Sequence, residues 1–345
     1  MALHLVTGSS GFLGSRIVKK LLEINEEVIA IDIIDDFENS KICEFHKLDI
    51  SNKESLINLF KKVEHVHHNA ALVPLTKSGK KFYQSNVIGT KNIVDLSLKN
   101  EISHISHMSS SAIFGKPKKN EDNVDYHTYN PTSTYGHSKY LAELEIINNF
   151  SKNKKKHQSF SVIRPRPVLG KGRLGIFEIL FDWVKVNKKI PIIGKGNNIF
   201  QFAHVDDLVE VSIETALRKK GGIFNIGTNK YGTLKNDLNA FFQKVGSKSK
   251  VLPLNKKICE NTLWILDKLN LSPLSSWHYL SYSWNFYYDL TKEFEVLDWR
   301  PKYSNIDMLA ESYNYYLENM KNLDHKSIHQ RPLKQKLLNF IKFFC

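Results

Sequence analysis

The stretch TGSSGFLG, residues 7–14, follows a short apolar run and precedes a segment with the periodicity of an amphipathic helix. Gly8 permits a tight turn, Gly11 lets the backbone approach a pyrophosphate, and Gly14 permits close packing of the helix on the strand. The first turn of that helix offers free N–H groups and the positive end of its dipole to an anion. Because the three glycines occur with the flanking strand and helix, the stretch predicts a phosphate-binding turn.

A carboxylate, Asp32, ends the second predicted strand, 18 residues after Gly14. A carboxylate at that place accepts hydrogen bonds from both hydroxyls of an adenosine ribose and repels a 2′-phosphate. The next residue, Ile33, supplies no cation for such a phosphate, so the sequence predicts NAD rather than NADP. Asp49 and Ile50 follow the third predicted strand, where we expect the edge of the adenine.

Strands and helices alternate outward from this turn through the first half of the chain. Such βαβ alternation predicts an α/β fold, a Rossmann doubly wound parallel sheet with helices on both faces. The predicted strands cover residues 3–8, 27–33, 65–71, 104–110 and 159–165, and the predicted helices cover residues 14–23, 53–62, 84–99 and 135–150.

The second half of the chain has a different character. It is rich in glycine around one predicted helix, 175–186, and then predicts a short strand, a helix and a strand that returns to the sheet. After Thr228 the pattern predicts an irregular, aromatic-rich chain. We therefore expect an NAD-binding Rossmann domain of residues 1–165 completed by about 201–228, a smaller discontinuous C-terminal substrate lobe of residues 166–200 and 229–320, and a basic amphipathic tail of residues 321–345.

Composition narrows the class of protein. The chain has 345 residues and a formal net charge of +14, from 49 basic and 35 acidic residues. Only seven of the basic residues are arginine, which favours lysine-rich solvated faces over a nucleic-acid surface. The cysteines Cys43, Cys259 and Cys345 form no CxxC pair, which fits a reducing compartment. With no secretory leader and no apolar run of about 18 residues, we expect a cytoplasmic protein.

Tyr135 and Lys139 form a YxxxK pattern on a predicted helix, where positions i and i+4 share one face. A free phenol has a pKa near ~10 and is a poor base at neutral pH. An adjacent ammonium and a positive nicotinamide ring both stabilise the phenolate. Upstream, Ser109, Ser110 and Ser111 end a predicted strand at the ligand-facing edge of the sheet. A hydroxyl there can hydrogen-bond a reacting oxygen.

Taken together, these features resemble the extended short-chain dehydrogenase/reductases, the NAD-dependent epimerase/dehydratase family, from about residue 3 to about residue 320. The resemblance implies the Rossmann fold and NAD as cofactor, and it is far more specific for the family than for the substrate. The matching segments are TGSSGFLG (7–14), Asp32, LDI (48–50), HHNAA (67–71), NVIGT (86–90), SSSAIFG (109–115), YGHSK (135–139), RP (164–165), HVDDL (204–208) and FNIGT (224–228).

The resemblance also assigns a cofactor contact to each matched position around the expected dinucleotide. These positions are Gly8, Gly11, Phe12, Leu13 and Gly14 at the pyrophosphate, Asp32 at the adenosine ribose, Asp49 and Ile50 at the adenine, and Ala70, Ala71 and Asn86 alongside.

Catalytic roles are implied in the same way. Counting back from Gly115, the catalytic Ser/Thr of the family falls on Ser110, with Ser111 as the alternative if the loop is shifted by one residue. Tyr135 is then the acid/base, and Lys139 holds the nicotinamide ribose and lowers the pKa of the phenol.

Two departures from the family pattern leave the substrate open. Many nucleotide-sugar members carry an arginine just before the FxHVxDL segment that grips the substrate diphosphate, whereas residues 199–201 read IFQ here. Many also carry asparagine where Pro167 stands. Arg166, Arg173 or Arg300 could bind the anionic group of the substrate in place of that arginine. For each of the three, the alternative is a surface or structural ion pair.

Several functions therefore stay open. We expect first an NAD-dependent epimerase, or dehydratase, that acts on an activated, nucleotide-linked sugar by transient hydride transfer to NAD. A dehydratase needs an extra acid/base pair after Ser110, where Ser111 and Ala112 stand, so epimerisation or simple oxidation is favoured. The alternative is an NAD-dependent 3β-hydroxysteroid-type dehydrogenase or ketone reductase of the same superfamily, which predicts net NADH production. A dinucleotide-sensing scaffold is the third hypothesis.

Partners beyond a small-molecule substrate are also predicted. The resemblance implies a homodimer formed through the helices around residues 84–99 and 135–150. In the tail, apolar side chains at positions 333, 337, 340, 341 and 344 fall near one helical stripe with lysines opposite. This stripe favours either peripheral contact with the inner face of a membrane or docking on the enzyme or a sister subunit.

Histidines cluster on two predicted strands, at positions 65, 67 and 68 and at positions 104 and 107. Alternate residues of a strand face opposite sides of a sheet, and no carboxylate is spaced to complete a ligand set. We therefore expect these histidines to be structural and expect no metal site.

Overall fold

Parallel strands form the centre of the molecule. The computed structural model describes residues 1–36, 38–73, 79–117, 123–174, 176–268 and 281–320, so the predicted tail, 321–345, lies outside the described residues. The described strands are β1 (Leu3–Thr7), β2 (Glu27–Asp32), β3 (Glu44–Lys47), β4 (His65–His68), β5 (His104–Met108), β6 (Ser159–Pro165), β7 (Val168–Leu169), β8 (Ile190–Ile193), β9 (Ala203–His204), β10 (Gly222–Ile226) and β11 (Val251–Leu254).

Seven of these strands pair into one sheet in the order β3-β2-β1-β4-β5-β6-β10, and each neighbouring pair is parallel. The order reverses between β1 and β4, because the chain leaves β1 toward β2 and later returns to the other side of β1. In open α/β sheets ligands bind outside the carboxyl ends of the strands at such a reversal. The topology therefore fixes where a site is expected.

Helices cover both faces of this sheet. The described helices are α1 (Gly14–Glu23), α2 (Asn39–Ile42), α3 (Lys53–Leu56), α4 (Gly89–Lys99), α5 (Thr134–Leu144), α6 (Ser151–Asn153), α7 (Phe177–Lys185), α8 (Val205–Leu217), α9 (Leu234–Lys244), α10 (Lys256–Lys268), α11 (Thr291–Leu297) and α12 (Asn305–Asn319). Helix α3 continues as a 3₁₀ turn, Ile57–Lys61, a π-helical turn, Tyr83–Ile88, precedes α4, and a second one, Glu145–Phe150, follows α5.

The alternation of side chains along each strand divides the core between the two faces of the sheet. On one face, Leu5 of β1 packs in a cluster with Phe60 and Phe150. On the other face, Val6 packs with Ile17 of α1. Burial on both faces explains why the centre of β2, residues 28–31, is continuously apolar. The predicted α/β Rossmann fold is confirmed by this sheet.

The second half of the chain is more regular than its sequence suggested. The prediction of irregular chain after Thr228 is wrong over α9, β11, α10, α11 and α12. Aromatic residues are weak helix formers. The rings of Phe241 in α9 and Tyr313 in α12 nevertheless pack on each other and on the ring of Phe181 in α7. Tertiary packing thus overrides local propensity there. The domain limits expected from the sequence stay a prediction.

Buried histidines connect the strands of the sheet by side-chain hydrogen bonds. His4 Nδ1 lies 3.0 Å from His67 Nε2, and the other nitrogen of His67 lies 2.9 Å from Ser212 Oγ. His68 lies between the hydroxyls of Thr7 (2.8 Å) and Thr90 (2.9 Å). Among the described residues, no group of three or more potential ligands is placed to hold a metal ion.

This arrangement predicts a protein that loses stability in mild acid. Burial lowers the pKa of His4, His68 and His104 from 6.5 to about 3. Between these two values the unfolded chain binds protons that the folded chain excludes, so stability falls as the pH falls. At pH 5.5 each of the three residues should lower the free energy of unfolding by about 1.4 kcal/mol, or about 4 kcal/mol together, relative to pH 7.5.

Urea unfolding at the two pH values measures this loss. His104→Gln should reduce this loss by about 1.4 kcal/mol, whereas His157→Gln, at a position exposed to solvent, should leave it unchanged. Equal unfolding free energies of the native chain at pH 5.5 and 7.5 would contradict the prediction.

Candidate functional site

A cavity of about 300 Å³ opens at the carboxyl edge of the sheet, where the strand order reverses between β1 and β4. Its lining brings together most of the residues predicted from the sequence. The predicted residues that line it are Gly8, Gly11, Phe12, Leu13, Gly14, Asp32, Asp49, Ile50, Ala70, Ala71, Ser110, Ser111, Tyr135, Lys139, Arg166 and Arg173.

At two positions of the first turn, only glycine leaves enough room for the neighbouring backbone. Gly8 has a φ of +70°, and a Cβ there would lie 2.8 Å from the backbone nitrogen of Ala70 at the end of β4. A Cβ on Gly14 would overlap the carbonyl oxygen of Gly8. The first turn of α1 has no side-chain cap and no acidic residue. The Ser15 and Arg16 N–H groups donate to the carbonyl oxygens of Gly11 and Leu13, so the N–H groups of Leu13 and Gly14, which line the cavity, are the ones available to an anion at this helix N-terminus.

Asp32, at the end of β2, lines the same part of the cavity as the glycine turn. Its Oδ2 accepts a hydrogen bond from the Ser10 N–H at 3.0 Å, and its Oδ1 accepts one from the Ile34 N–H at 3.0 Å. Burial raises the pKa of this carboxyl, and the two backbone hydrogen bonds oppose that shift. Each oxygen can still accept a further hydrogen bond, which is what recognition of a ribose diol requires.

The phenol of Tyr135 meets Ser110 at the other end of the cavity. Ser133 caps α5 by accepting a hydrogen bond from the Gly136 N–H at 3.0 Å. A Cβ on Gly136 would overlap the carbonyl oxygen of Ala112, so α5 lies directly on the turn that follows β5. Burial raises the pKa of Tyr135, whereas the hydrogen bond with Ser110 and the charge of Arg173 lower it.

Lys139 lies one turn further along α5 and is buried. Its Nζ donates to the carbonyl oxygen of Met108, at the end of β5, at 2.5 Å. Burial lowers its pKa to about 8, and the charge of Glu143 opposes that shift. The cation that lowers the pKa of the phenol is therefore Arg173, whereas the sequence pattern predicted Lys139 in that role.

Glu143 forms a buried polar network behind these residues that the sequence analysis did not identify. Its carboxylate forms an ion pair with Arg164 and accepts hydrogen bonds from Ser109 Oγ at 2.6 Å and Tyr129 Oη at 2.8 Å. The spacing 135, 139 and 143 places three polar side chains on one stripe of α5. That spacing was the available signal.

Three other predicted residues have distinct positions. Asn86 does not line the cavity, because its amide bonds both backbone groups of Leu72, at 2.8 and 3.2 Å, and so fixes a segment that does line it. Arg300 lies outside the cavity and donates to the carbonyl oxygens of Phe294 and Trp299. Arg166 is buried in the cavity wall, where it donates to Ser111 Oγ at 3.2 Å.

Arg16 ties the phosphate-binding turn to the loop that carries Arg173. Its guanidinium donates to the carbonyl oxygen of Phe12 at 2.6 Å and to that of Lys171. The Phe12 ring lies between two guanidinium groups, 4.4 Å from that of Arg16 and 5.5 Å from that of Arg173. Arg16 and Phe12 therefore connect the glycine turn to the loop that carries Arg173.

Comparison with known proteins agrees with this geometry. The model of the NAD dependent epimerase/dehydratase family matches residues 4–227. The chain is 34% identical to the uncharacterized protein y4nG of Sinorhizobium fredii over 98% of this chain and 85% of that protein. It is 35% identical to a putative UDP-glucose 4-epimerase of Methanocaldococcus jannaschii over 72% and 84%, and 29% identical to the mouse sterol-4-alpha-carboxylate 3-dehydrogenase, decarboxylating, over 61% and 58%.

Solved structures share the fold. A UDP-glucose 4-epimerase of Thermotoga maritima with UDP-glucose superposes with a TM-score of 0.72 at 23% identity, over 92% of this chain and 99% of that chain. A UDP-glucuronic acid 4-epimerase of Bacillus cereus with UDP-glucuronic acid and NAD superposes with a TM-score of 0.72 at 20% identity, over the same shares. The resemblance predicted from the sequence is confirmed.

The buried network yields a stability prediction. Glu143→Gln should lower the free energy of unfolding by about 3 kcal/mol, because the neutral amide leaves the buried Arg164 without its counter-charge. Glu214→Gln is the matched control, since its partner Arg218 lies at 2.7 Å on an exposed face of α8, where such a pair contributes roughly 0.5 kcal/mol. Chemical denaturation measures both variants, and equal losses would show that the network is not stabilising.

Proposed function

Because the chain belongs to the NAD dependent epimerase/dehydratase family, we propose that it is an NAD-dependent epimerase of an activated, nucleotide-linked sugar. NAD is the cofactor of this family. The observation that carries the proposal is the contact between Tyr135 and Ser110 at one end of a cavity whose other end is a glycine cradle faced by Asp32. One end fits a dinucleotide, and the other presents an acid/base and a hydroxyl donor.

The cradle fits the adenosine and pyrophosphate of NAD. Gly8 and Gly14 let the turn after β1 pack closely on Ala70 and on the start of α1, and Leu13 and Gly14, at the N-terminus of that helix, line the cavity beside the turn. Asp32 would accept the ribose hydroxyls and repel a 2′-phosphate. When bound, NAD supplies a reversible acceptor for a hydride.

Proton transfer falls to the residues of this chain. Tyr135 Oη would take the proton of the substrate hydroxyl, while Ser110 Oγ donates a hydrogen bond to the same oxygen. Arg173 favours the phenolate form of Tyr135 during this step. Lys139 Nζ, held at the end of β5 by the carbonyl oxygen of Met108, would hold the nicotinamide ribose. The same phenol would return the proton when the substrate carbonyl is reduced on its other face.

The residues after Ser110 favour epimerisation over dehydration. Elimination of water needs a further acid and base beside the reacting carbon, and Ser111 and Ala112 stand at those positions. Among the described residues that line the cavity, the carboxylates are Asp32 and Asp49, which lie at the adenosine end. Among the described residues, no carboxylic acid therefore lines the cavity beside Tyr135, and Glu143, on the same helix, is paired with Arg164 in the network behind it.

A second candidate is a dehydrogenase of an apolar alcohol. Apolar and aromatic side chains, including Phe177, Phe200 and Tyr282, line the cavity beyond Tyr135, and the similarity to a sterol dehydrogenase favours it. Absorbance of the reduced nicotinamide separates the two candidates. A dehydrogenase accumulates NADH with its substrate, whereas an epimerase returns every hydride and shows no accumulation.

The partners expected from the sequence stay predictions. A homodimer through α4 and α5 awaits measurement of the mass in solution. Contact of residues 331–345 with a membrane surface falls outside the described residues. Within the described ranges, the helices are all too short or too polar to cross a membrane.

Tyr135→Phe should abolish turnover while NAD remains bound, because it removes the hydroxyl that would move the proton and leaves the aromatic ring. We expect a loss of at least about 1,000-fold in kcat with an NAD affinity within about twofold of the native enzyme. Tyr140→Phe, on the same helix, is the control and should keep full activity. An active Tyr135→Phe enzyme would overturn the assignment.

Asp32→Asn should weaken NAD binding by about 10-fold or more, because the amide removes a charged acceptor for the ribose hydroxyls. The preference for NAD over NADP should shrink in parallel. Asp35→Asn, at an exposed position that pairs with Lys47 at 3.5 Å, is the control and should leave both affinities unchanged. Calorimetric titration of each cofactor measures the effect; an unaltered preference would remove Asp32 from the ribose site.

A further inference from the structure

Arg166 is a buried cation whose hydrogen bonds are incomplete. Its exposed fraction is 1%, and Nη1 donates to Ser111 Oγ at 3.2 Å. Nε and Nη2 have no hydrogen-bond partner among the described residues. Arg164, two residues earlier, is fully matched by the carboxylate of Glu143. Burying a guanidinium without a counter-charge is strongly unfavourable, so a missing anion at Arg166 needs an explanation.

Aromatic rings hold this guanidinium in place. Its central carbon lies 3.6 Å from the centroid of the Phe286 ring, 4.9 Å from that of Phe200 and 6.0 Å from that of Tyr288. Backbone hydrogen bonds between Phe286 and its neighbours Ile199 and Gln201 fix two of these rings beside each other. Stacking stabilises the cation without using its N–H groups. Nε and Nη2 therefore keep unused hydrogen-bonding capacity in a residue that lines the cavity.

The cavity brings such a ligand close to the reacting atoms. Arg166 and Ser111 both line it, and Ser111 directly follows Ser110, which is hydrogen-bonded to Tyr135. Consecutive Cα atoms lie about 3.8 Å apart, so an anion at Arg166 belongs to the same end of the substrate as the reacting hydroxyl. Arg173 adds a second positive charge there. The charge of this end of the cavity is complementary to an acid.

We propose that Arg166 and Ser111 form an oxyanion subsite that takes a carboxylate on the substrate ring beside the reacting carbon. The substrate is then an acidic, uronate-type sugar rather than a neutral one. This inference rests on the proposed function for the place of the reacting hydroxyl. It differs from recognition of the diphosphate, which every nucleotide sugar shares and which lies farther from that hydroxyl.

UDP-glucuronate and UDP-glucose differ in this carboxylate and share the diphosphate, so titration of the NAD-loaded enzyme with each one tests the subsite. We expect the native enzyme to bind UDP-glucuronate at least 10-fold more tightly than UDP-glucose. Arg166→Met should reduce this ratio to about one while UDP-glucose affinity stays within about twofold. Arg300→Met, at an arginine outside the cavity, should preserve the ratio.

Two outcomes of this titration overturn the inference. An equal loss for both ligands in Arg166→Met would place the residue on the diphosphate, and an unchanged ratio would leave it without a role in anion recognition. A ratio of about one in the native enzyme with both ligands bound would likewise reject the subsite, although the proposed function would stand.

Thermal unfolding separates binding from a structural role. Because Arg166 lacks a counter-charge without substrate, Arg166→Met should keep or raise the Tm of the NAD-loaded protein; a clear decrease together with an unchanged ligand ratio would show a purely structural residue. If neither nucleotide sugar binds the native enzyme, the proposed function fails on its own. Free glucuronate, compared with glucose, then decides the inference, since it should raise the Tm of the native protein but not of Arg166→Met, and no increase would overturn it.

Discussion

The close approach of three backbone segments at the carboxyl edge of the sheet constrains the rest of the molecule. The turn after β1 touches the end of β4 at Gly8 and Ala70, and the start of α1 touches the same turn at Gly14. No side chain fits between these segments. The reversal of strand order therefore leaves a crevice beside these backbone segments, and the N-terminus of α1, at Leu13 and Gly14, lines it. The cofactor site follows from that packing before any functional side chain is considered.

Most of the buried polar side chains discussed above are paired with one another. His67 and His68 of β4 find partners in hydroxyls and in His4 of β1, and Glu143 satisfies Arg164, Ser109 and Tyr129. Such pairing is the rule, since an unmatched buried polar group is costly. Arg166 departs from the rule at the cavity wall. Arg164, which is paired with Glu143, thus has a structural role, whereas Arg166 two residues later, unpaired among the described residues, is the one proposed to recognise a ligand.

The sequence predicted the fold and the cofactor end of the site well because both depend on local patterns. Gly8, Gly14 and Asp32 stand at fixed places on a strand–helix–strand unit, and the structure brings them to one cavity. The other end depends on distant segments. That Phe200 and Phe286 would stack on Arg166, or that Glu143 would meet Arg164, is set by tertiary packing. Helix α12 was not predicted for a related reason. Its tyrosines are weak helix formers, and Tyr313 and Tyr316 are placed in the core only by packing against other segments.

The contact of Arg16 with Phe12 and Lys171 has an energetic consequence for ligand binding. One guanidinium holds the glycine turn and the loop of Arg173 together, so a cofactor on the turn and a substrate beside Arg173 would each contact a segment that Arg16 bonds. A ligand that orders one of these segments is expected to change the affinity at the other, and by thermodynamic necessity such an effect is mutual. Dinucleotide and sugar are therefore expected to be retained together rather than independently.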